Sequence, residues 1–190
     1  MPLLKRETEV FPQEIFGLKE LPWWVAHIRS RQEKALARYL EPLQVPFYLP
    51  QREKETRREG RRLVSYLPLF PGYLFFRGSL AERRAAIRSN LVVRVLDVAD
   101  QGLLDSELAQ LRLLQDSGAS LQPCPSLQVG DVVRVSEGPF EGYRGVVLRE
   151  KGRSRFVISI TVLRKSVAVE IGRNRLAPVS WITGASSAVA

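Results

Sequence analysis

Thiols and imidazoles are almost missing from this chain: Cys124 is its one cysteine and His27 its one histidine in 190 residues. A single cysteine excludes an internal disulfide and any multi-cysteine zinc site. A single histidine removes most metal cages and leaves a histidine-based triad with one candidate base. No apolar run approaches the roughly 20 residues that a membrane-spanning helix needs. The N-terminal stretch mixes Lys5, Arg6, Glu7, Glu9 and Glu14 and does not read as a secretory signal. Nor is there a Gly-rich phosphate loop or a paired nucleophile and base. The expectation is a cytoplasmic protein that is not an enzyme, with no catalytic residues, no metal and no cofactor.

Positive charge is what the chain has in excess. Lys and Arg number 29 against 20 Asp and Glu, a net charge of +9, and 23 of the bases are arginine. Arginine presents a planar fork to phosphates and base edges and stacks on aromatic rings. The excess is uneven. Residues 22–96 hold 15 bases and 6 acids, whereas residues 97–122 hold one base and five acids. Such asymmetry fits a polyanion partner on one part of the molecule, set against the plainer reading of a solvated basic surface.

Hydrophobic periodicity divides the chain. Residues 1–21, interrupted by Pro2, Pro12 and Gly17, read as a flexible leader. Trp23 to Ile28 reads as a strand, and Ser30-Arg31-Gln32-Glu33 as a capping box opening a helix with Leu36, Tyr39, Leu40 and Leu43 on one face. Pro42 should end that helix near Glu41. Val45 to Leu49 predicts a brief or edge strand, and the charge run Gln51 to Arg62 a solvated hairpin loop leading to a strand at Leu63 to Leu67. Phe70-Pro71-Gly72 turns into a strand at Tyr73 to Arg77. Ser79-Leu80-Ala81-Glu82 is a second capping box, opening a helix through Ile87. A strand at Leu91 to Leu96 and a helix from Asp105, carrying Leu104, Leu108, Leu111 and Leu114 and ended by Gly118, complete a first unit. Residues 22–118 thus predict an α+β domain, an antiparallel-rich sheet sandwiched with helices. Pro123-Cys124-Pro125 marks residues 119–128 as a stiff, extended linker. Residues 129–180 then alternate with period two at Val133/Val135, Phe156/Ile158/Ile160/Val162 and Val167/Val169/Ile171. Short glycine-punctuated strands in so small a unit predict a β-barrel, with residues 181–190 as a flexible tail.

The most specific string is Gly130-Asp131-Val132-Val133-Arg134-Val135-Ser136-Glu137-Gly138-Pro139-Phe140-Glu141-Gly142-Tyr143-Arg144-Gly145-Val146-Val147. Its glycines shape a tight connection between strands, and Phe140, Tyr143 and Arg144 surround the turn. On the residues alone this is either a barrel corner plugged by Phe140 or an exposed docking loop. The string resembles the KOW motif, in an SH3-like barrel. Trp24-Val25-Ala26-His27 with the helix behind it, and Pro68-Leu69-Phe70-Pro71-Gly72-Tyr73-Leu74-Phe75, resemble the N-terminal domain of NusG-type transcription factors. The resemblance spans roughly residues 23–179.

That resemblance implies a monomeric elongation and antitermination factor. Its apolar patch would grip the clamp helices of the largest RNA polymerase subunit through Phe70, Pro71, Tyr73 and Phe75, with Trp24 beside them. Arg29, Arg83, Arg84, Arg88 and Asn90 match the region that approaches the non-template DNA strand. The barrel would engage a ribosomal small-subunit protein or the termination factor Rho through Phe140, Tyr143, Leu163 and Arg164. Here the sequence departs from the family: housekeeping members carry Ser-Ile-Phe-Gly-Arg where this chain has Ser159-Ile160-Thr161-Val162-Leu163-Arg164. The departure, with Pro68-Leu69 leading the turn, favours an operon-specific paralog over a housekeeping factor. A ribosome-associated KOW protein binding RNA would share the barrel motif and the charge but would not need the Trp24-to-Phe75 block.

Overall fold

The structure, a computed structural model, describes residues 7–58, 60–124, 132–135, 144–150, 153–170 and 176–178. From residue 7 the N-terminal stretch is built in rather than loose. β1 (Val10–Phe11) pairs with a later strand, and Ile15, in a 3-10 turn, is fully buried. β2 (Trp23–Ile28) follows, then α1 (Glu33–Leu40), which a 3-10 turn over Glu41–Leu43 ends at Pro42 as expected. The Ser30 capping box does not form. Arg31 takes a left-handed φ of 61°, and Gln32 stands at the helix start without a side-chain cap. The buried face is also shifted. Glu33, Leu36, Ala37 and Leu40 point inward, while Tyr39 and Leu43 are exposed.

β3 (Phe47–Tyr48) is brief but internal, between β1 and a later strand. The charge run is not a loop. β4 (Gln51–Arg58) and β5 (Arg61–Pro68) form their own two-stranded sheet, paired from Gln51↔Pro68 to Arg58↔Arg61. β6 (Tyr73–Arg77) and α2 (Leu80–Arg88) come next. The second capping box is present: Ser79 Oγ accepts from the Ala81 amide at 3.0 Å while Glu82 accepts from the Ser79 amide at 2.6 Å. β7 (Val92–Leu96) leads to α3 (Gln101–Asp116), which begins earlier than its leucines suggest because Asp100 caps it, accepting from the Leu103 amide at 2.8 Å.

The main sheet runs β1-β3-β6-β2-β7 with every pair antiparallel. Both its faces are covered. Trp23, Val25, Tyr48 and Phe75 pack on Leu104, Leu108, Leu111 and Leu114 of α3. Ala26, Ile28, Phe47, Leu74 and Phe76 pack on Leu36, Ala37 and Leu40 of α1 and Ala86 of α2. Two faces of one strand pair are apolar because both are roofed.

The expected linker contributes a strand: β8 (Gln122–Cys124) pairs with a strand of a second sheet, and Leu121 before it is buried. That sheet adds β9 (Val132–Val135), β10 (Arg144–Glu150), β11 (Arg153–Ile160), β12 (Lys165–Glu170) and β13 (Leu176–Pro178), in the order β13-β9-β10-β11-β12-β8. Val162 and Leu163 lie in a 3-10 turn rather than in a strand. Ile160, Leu163 and Val167 join the α3 side of the main core. Glu107 of α3 seals the junction, accepting from the Thr161 amide at 3.0 Å and from its hydroxyl. The described residues are therefore mixed α/β with antiparallel sheets.

A buried charge ties the first unit together. Arg77, 3% exposed, lies 4.3 Å over the Trp23 ring and donates to the carbonyls of Leu18 and Leu21 and to Asp105. Asp105 also accepts from Trp23 Nε1 at 2.9 Å and from Lys19. Burial pushes the Asp105 carboxyl upward, but the bonds from Lys19 and Trp23 and the Arg77 charge outweigh it, leaving the pKa below the ordinary value. A lowered carboxylate pKa contributes stability above its unfolded value that is lost as pH falls through the folded one. Asp105→Asn should therefore cost about 3 kcal/mol in urea unfolding at neutral pH, since it leaves a buried guanidinium uncompensated. The difference from the parent should shrink as both are acidified.

Glu107 has the opposite sign. Burial raises its pKa despite the two Thr161 bonds, so the junction is strongest below the ordinary carboxylate value and weakens as pH rises through the raised one. The protection factor of the Thr161 amide in hydrogen exchange should fall over that interval in the parent and stay flat in Glu107→Gln.

Candidate functional site

The pairing of β6, β2 and β7 sets Tyr73 opposite His27 and His27 opposite Arg94. Tyr73 and His27 stack with ring centroids 5.2 Å apart, and His27 Nδ1 is buried without a hydrogen-bond partner among the described residues. Lys165, at the start of β12, also meets the Tyr73 ring. Its Nζ stands 4.7 Å from the ring centroid and 3.5 Å from the Pro71 carbonyl it donates to. The second sheet thus covers Tyr73 in this conformation.

The turn before Tyr73 is pinned. Gly72 has φ of +85°, a region that favours glycine. Its amide donates to Glu33 Oε1 at 2.7 Å, and its carbonyl accepts from the Ile28 amide at 2.8 Å. The buried Glu33 side chain at the start of α1 therefore fixes the turn against the end of β2. Phe70 and Phe75 are core side chains, 3% and 0% exposed and in edge-on contact at 6.0 Å. In this conformation they support the turn from beneath rather than present themselves at the surface. Pro71 is exposed and Tyr73 half-buried. Trp24, half-buried, packs on the opposite face of the sheet, donating from Nε1 to the Gly78 carbonyl at 2.7 Å.

The basic residues divide in the same way. Arg83 lies against Trp24, its Cζ 5.3 Å from the ring centroid and its Nε buried without a partner. Arg84 and Arg88, one turn apart on α2, are exposed. The Arg29 amide donates to the Leu91 carbonyl at 2.9 Å, drawing the exposed Arg29 beside the loop where exposed Asn90 takes φ of 58°. One end of the sheet thus brings together the Pro71-Gly72 turn, the end of β2 and the Asn90 loop. Arg94 belongs to the same row and was not singled out by sequence reasoning. Its place between Val93 and Val95 looks like an ordinary outward strand position, and only the register reveals His27 as its neighbour.

In the second sheet, Leu163 is 8% exposed and turned into the core shared with α3, while Arg164 is exposed with φ of 50°. Leu163 is thus occupied here and not an open contact. Phe140 and Tyr143 lie outside the described residues. Among the described residues no group of three His, Cys, Asp or Glu side chains could hold a metal ion, and no helix is long and apolar enough to cross a membrane. The exposed Pro71 and half-buried Tyr73 thus lie at the same end of the sheet as exposed arginines that form no ion pair among the described residues.

Residues 21–112 match the family profile described as transcription termination factor nusG. The transcription termination/antitermination protein NusG of Vibrio vulnificus is 30% identical over 132 residues, covering 65% of this chain and 71% of that protein. Its counterpart from Pseudomonas aeruginosa is 28% identical over 166 residues, covering 78% of this chain and 93% of the relative. A solved structure titled "Domain interaction in Thermotoga maritima NusG" superposes with a TM-score of 0.52 at 18% identity, over 84% of this chain and 98% of that one, a likeness of fold. With its sequence matched across most of these relatives and its fold shared, the chain belongs to the NusG family of transcription termination/antitermination factors.

Proposed function

We propose that the chain binds RNA polymerase through the Pro71–Tyr73 turn, seating it on the clamp helices of the largest subunit, with Trp24 behind it. Arg29, Arg84, Arg88 and Asn90 then face the non-template DNA strand, and Arg83 braces Trp24. The observation that carries this reading is the joining of turn, β2 end and Asn90 loop by the Ile28–Gly72 and Arg29–Leu91 bonds. One rigid end can meet protein and polyanion together. Bridging two sides of the polymerase cleft disfavours its open, paused form, a population shift that requires tighter binding to the closed state. Residues 22–118 form the polymerase-binding domain and residues 129–180 a KOW barrel. Because Lys165 covers Tyr73, the second sheet must leave α3 before Tyr73 can dock.

The inward turn of Leu163 supports a specialised antitermination paralog over a housekeeping factor. The hairpin that would offer a phenylalanine to the ribosome or Rho instead spends its apolar residue on α3.

Tyr73→Ala should weaken binding of a peptide pair reproducing the clamp helices by about 2 kcal/mol, roughly 30-fold, the loss typical of an aromatic anchor. Leu163→Asp should act in the opposite direction by freeing Tyr73. Calorimetric titration of both variants tests the assignment, which fails if Tyr73→Ala stays folded and binds as the parent does.

Removing Arg84 and Arg88 together should leave clamp-helix affinity unchanged. In the assembled elongation complex it should lower the magnitude of the slope of log affinity against log salt by about 1.4, two single-strand phosphate contacts. An unaltered slope would remove this helix face from the DNA side.

A further inference from the structure

The separate ribbon of β4 and β5 sorts its charges by face. Side chains alternate along each strand, and residues paired across an antiparallel register share a face. Arg52↔Leu67, Lys54↔Ser65, Thr56↔Leu63 and Arg58↔Arg61 therefore define one face, and Glu53↔Tyr66, Glu55↔Val64 and Arg57↔Arg62 the other. Every acid of the two strands falls on the second face, where Glu55 pairs with Arg62. The first face holds the bases Arg52, Lys54 and Arg61 and no carboxylate. Lys54 and Arg61 are exposed there and carry no ion pair among the described residues, and Arg52 Nε is buried without a hydrogen-bond partner.

We propose that this acid-free face is a second nucleic-acid site, binding the phosphates of duplex DNA. A two-stranded ribbon is an element that the major groove of B-form DNA admits, whereas the major groove of duplex RNA is too deep and narrow for side chains to read. Eight residues per strand give a ribbon about 26 Å long, enough to follow a groove past several phosphates on either side. Thr56 and Ser65 add neutral hydroxyl donors of the kind that contact phosphate oxygens. The face lies on a sheet of its own, so it can engage DNA while the Tyr73 end holds another partner. The proposal stands on the ribbon alone and does not depend on docking at Tyr73.

The test uses the full chain without polymerase, a fluorescein-labelled 24-base-pair duplex of mixed sequence, and anisotropy titrations between 50 and 200 mM salt. Lys54→Glu with Arg61→Glu is compared with Arg57→Glu with Arg62→Glu, which changes net charge equally on the opposite face. The first pair should weaken binding at least tenfold and reduce the magnitude of the salt slope by about 1.8 for two lost contacts, while the second changes affinity less than threefold. Lys54→Gln with Arg61→Gln, which adds no repulsion, should reproduce the slope change. Equal losses from both faces would mean that only net charge matters and would overturn the site. So would absence of duplex binding, or tighter binding to single-stranded or duplex RNA of the same length.

Discussion

The strand pair β2–β6 is apolar on both faces, and the rest of the molecule answers to that constraint. In β6, Leu74, Phe75 and Phe76 are all fully buried, so no outward polar position relieves the strand. A sheet like this cannot meet water on either side, and each residue needs a roof. α1 and α2 supply one, and α3 supplies the other. At its far end the α3 roof is completed by Ile160, Leu163 and Val167 of the second sheet. The contact between the two sheets is thus part of the closure of the first core. Polar bonds across it among the described residues include Glu107 to Thr161 and Lys165 to Pro71.

The position of Tyr73 follows from the same architecture. It is the first residue of β6, just where the strand leaves the core, and its ring needs cover. His27 stacks on it and Lys165 lies over it. An aromatic side chain there is half core and half surface, which lets it exchange one cover for another without unfolding the strand beneath it. Phe70 and Phe75 do not have that freedom, being enclosed in edge-on contact. The three aromatics of one short motif therefore split into two supports and one exchangeable ring.

Elements governed by local chemistry were legible in the sequence. The leucine spacing of α3 and the Ser79–Glu82 box depend on neighbours within one or two turns, and both formed, although α3 starts at Gln101 and not at Asp105. The Ser30 box has the same letters but fails, because the chain leaving β2 must turn sharply. The Gln32 amide donates to the Arg29 carbonyl, and Arg31 goes left-handed. The shifted face of α1 has a similar cause. The helix stops at Leu40, so Leu43 never joins its stripe, and Glu33 turns inward to hold Gly72. The β4 strand was invisible because its order comes from across the ribbon: a run such as Arg-Glu-Lys-Glu-Thr-Arg has no apolar face, and pairing with Leu63 to Leu67 makes it a strand. Likewise β8 is defined by its pairing with β12, a register that a proline-rich stretch does not announce.

Charge in this chain is arranged by secondary structure and not by proximity in sequence. Between Gln51 and Arg62 acids and bases interleave, which reads as a mixed, solvated run. Once the run is folded as a ribbon, the period of two separates them: the acids at 53 and 55 share a face, and the bases at 52 and 54 share the other. A one-residue slip of β4 would change the cross-strand partners, but the parity within β4 would survive, because alternation is a property of the strand itself. On α2 the same function falls to helical spacing, with Arg84 and Arg88 aligned and Arg83 diverted onto Trp24. Among the described residues, positive charge is thus sorted onto particular faces, Lys54 and Arg61 on the ribbon and Arg84 and Arg88 on α2. Oriented charge of this kind can favour one geometry of polyanion over another, which a diffuse positive surface does not do.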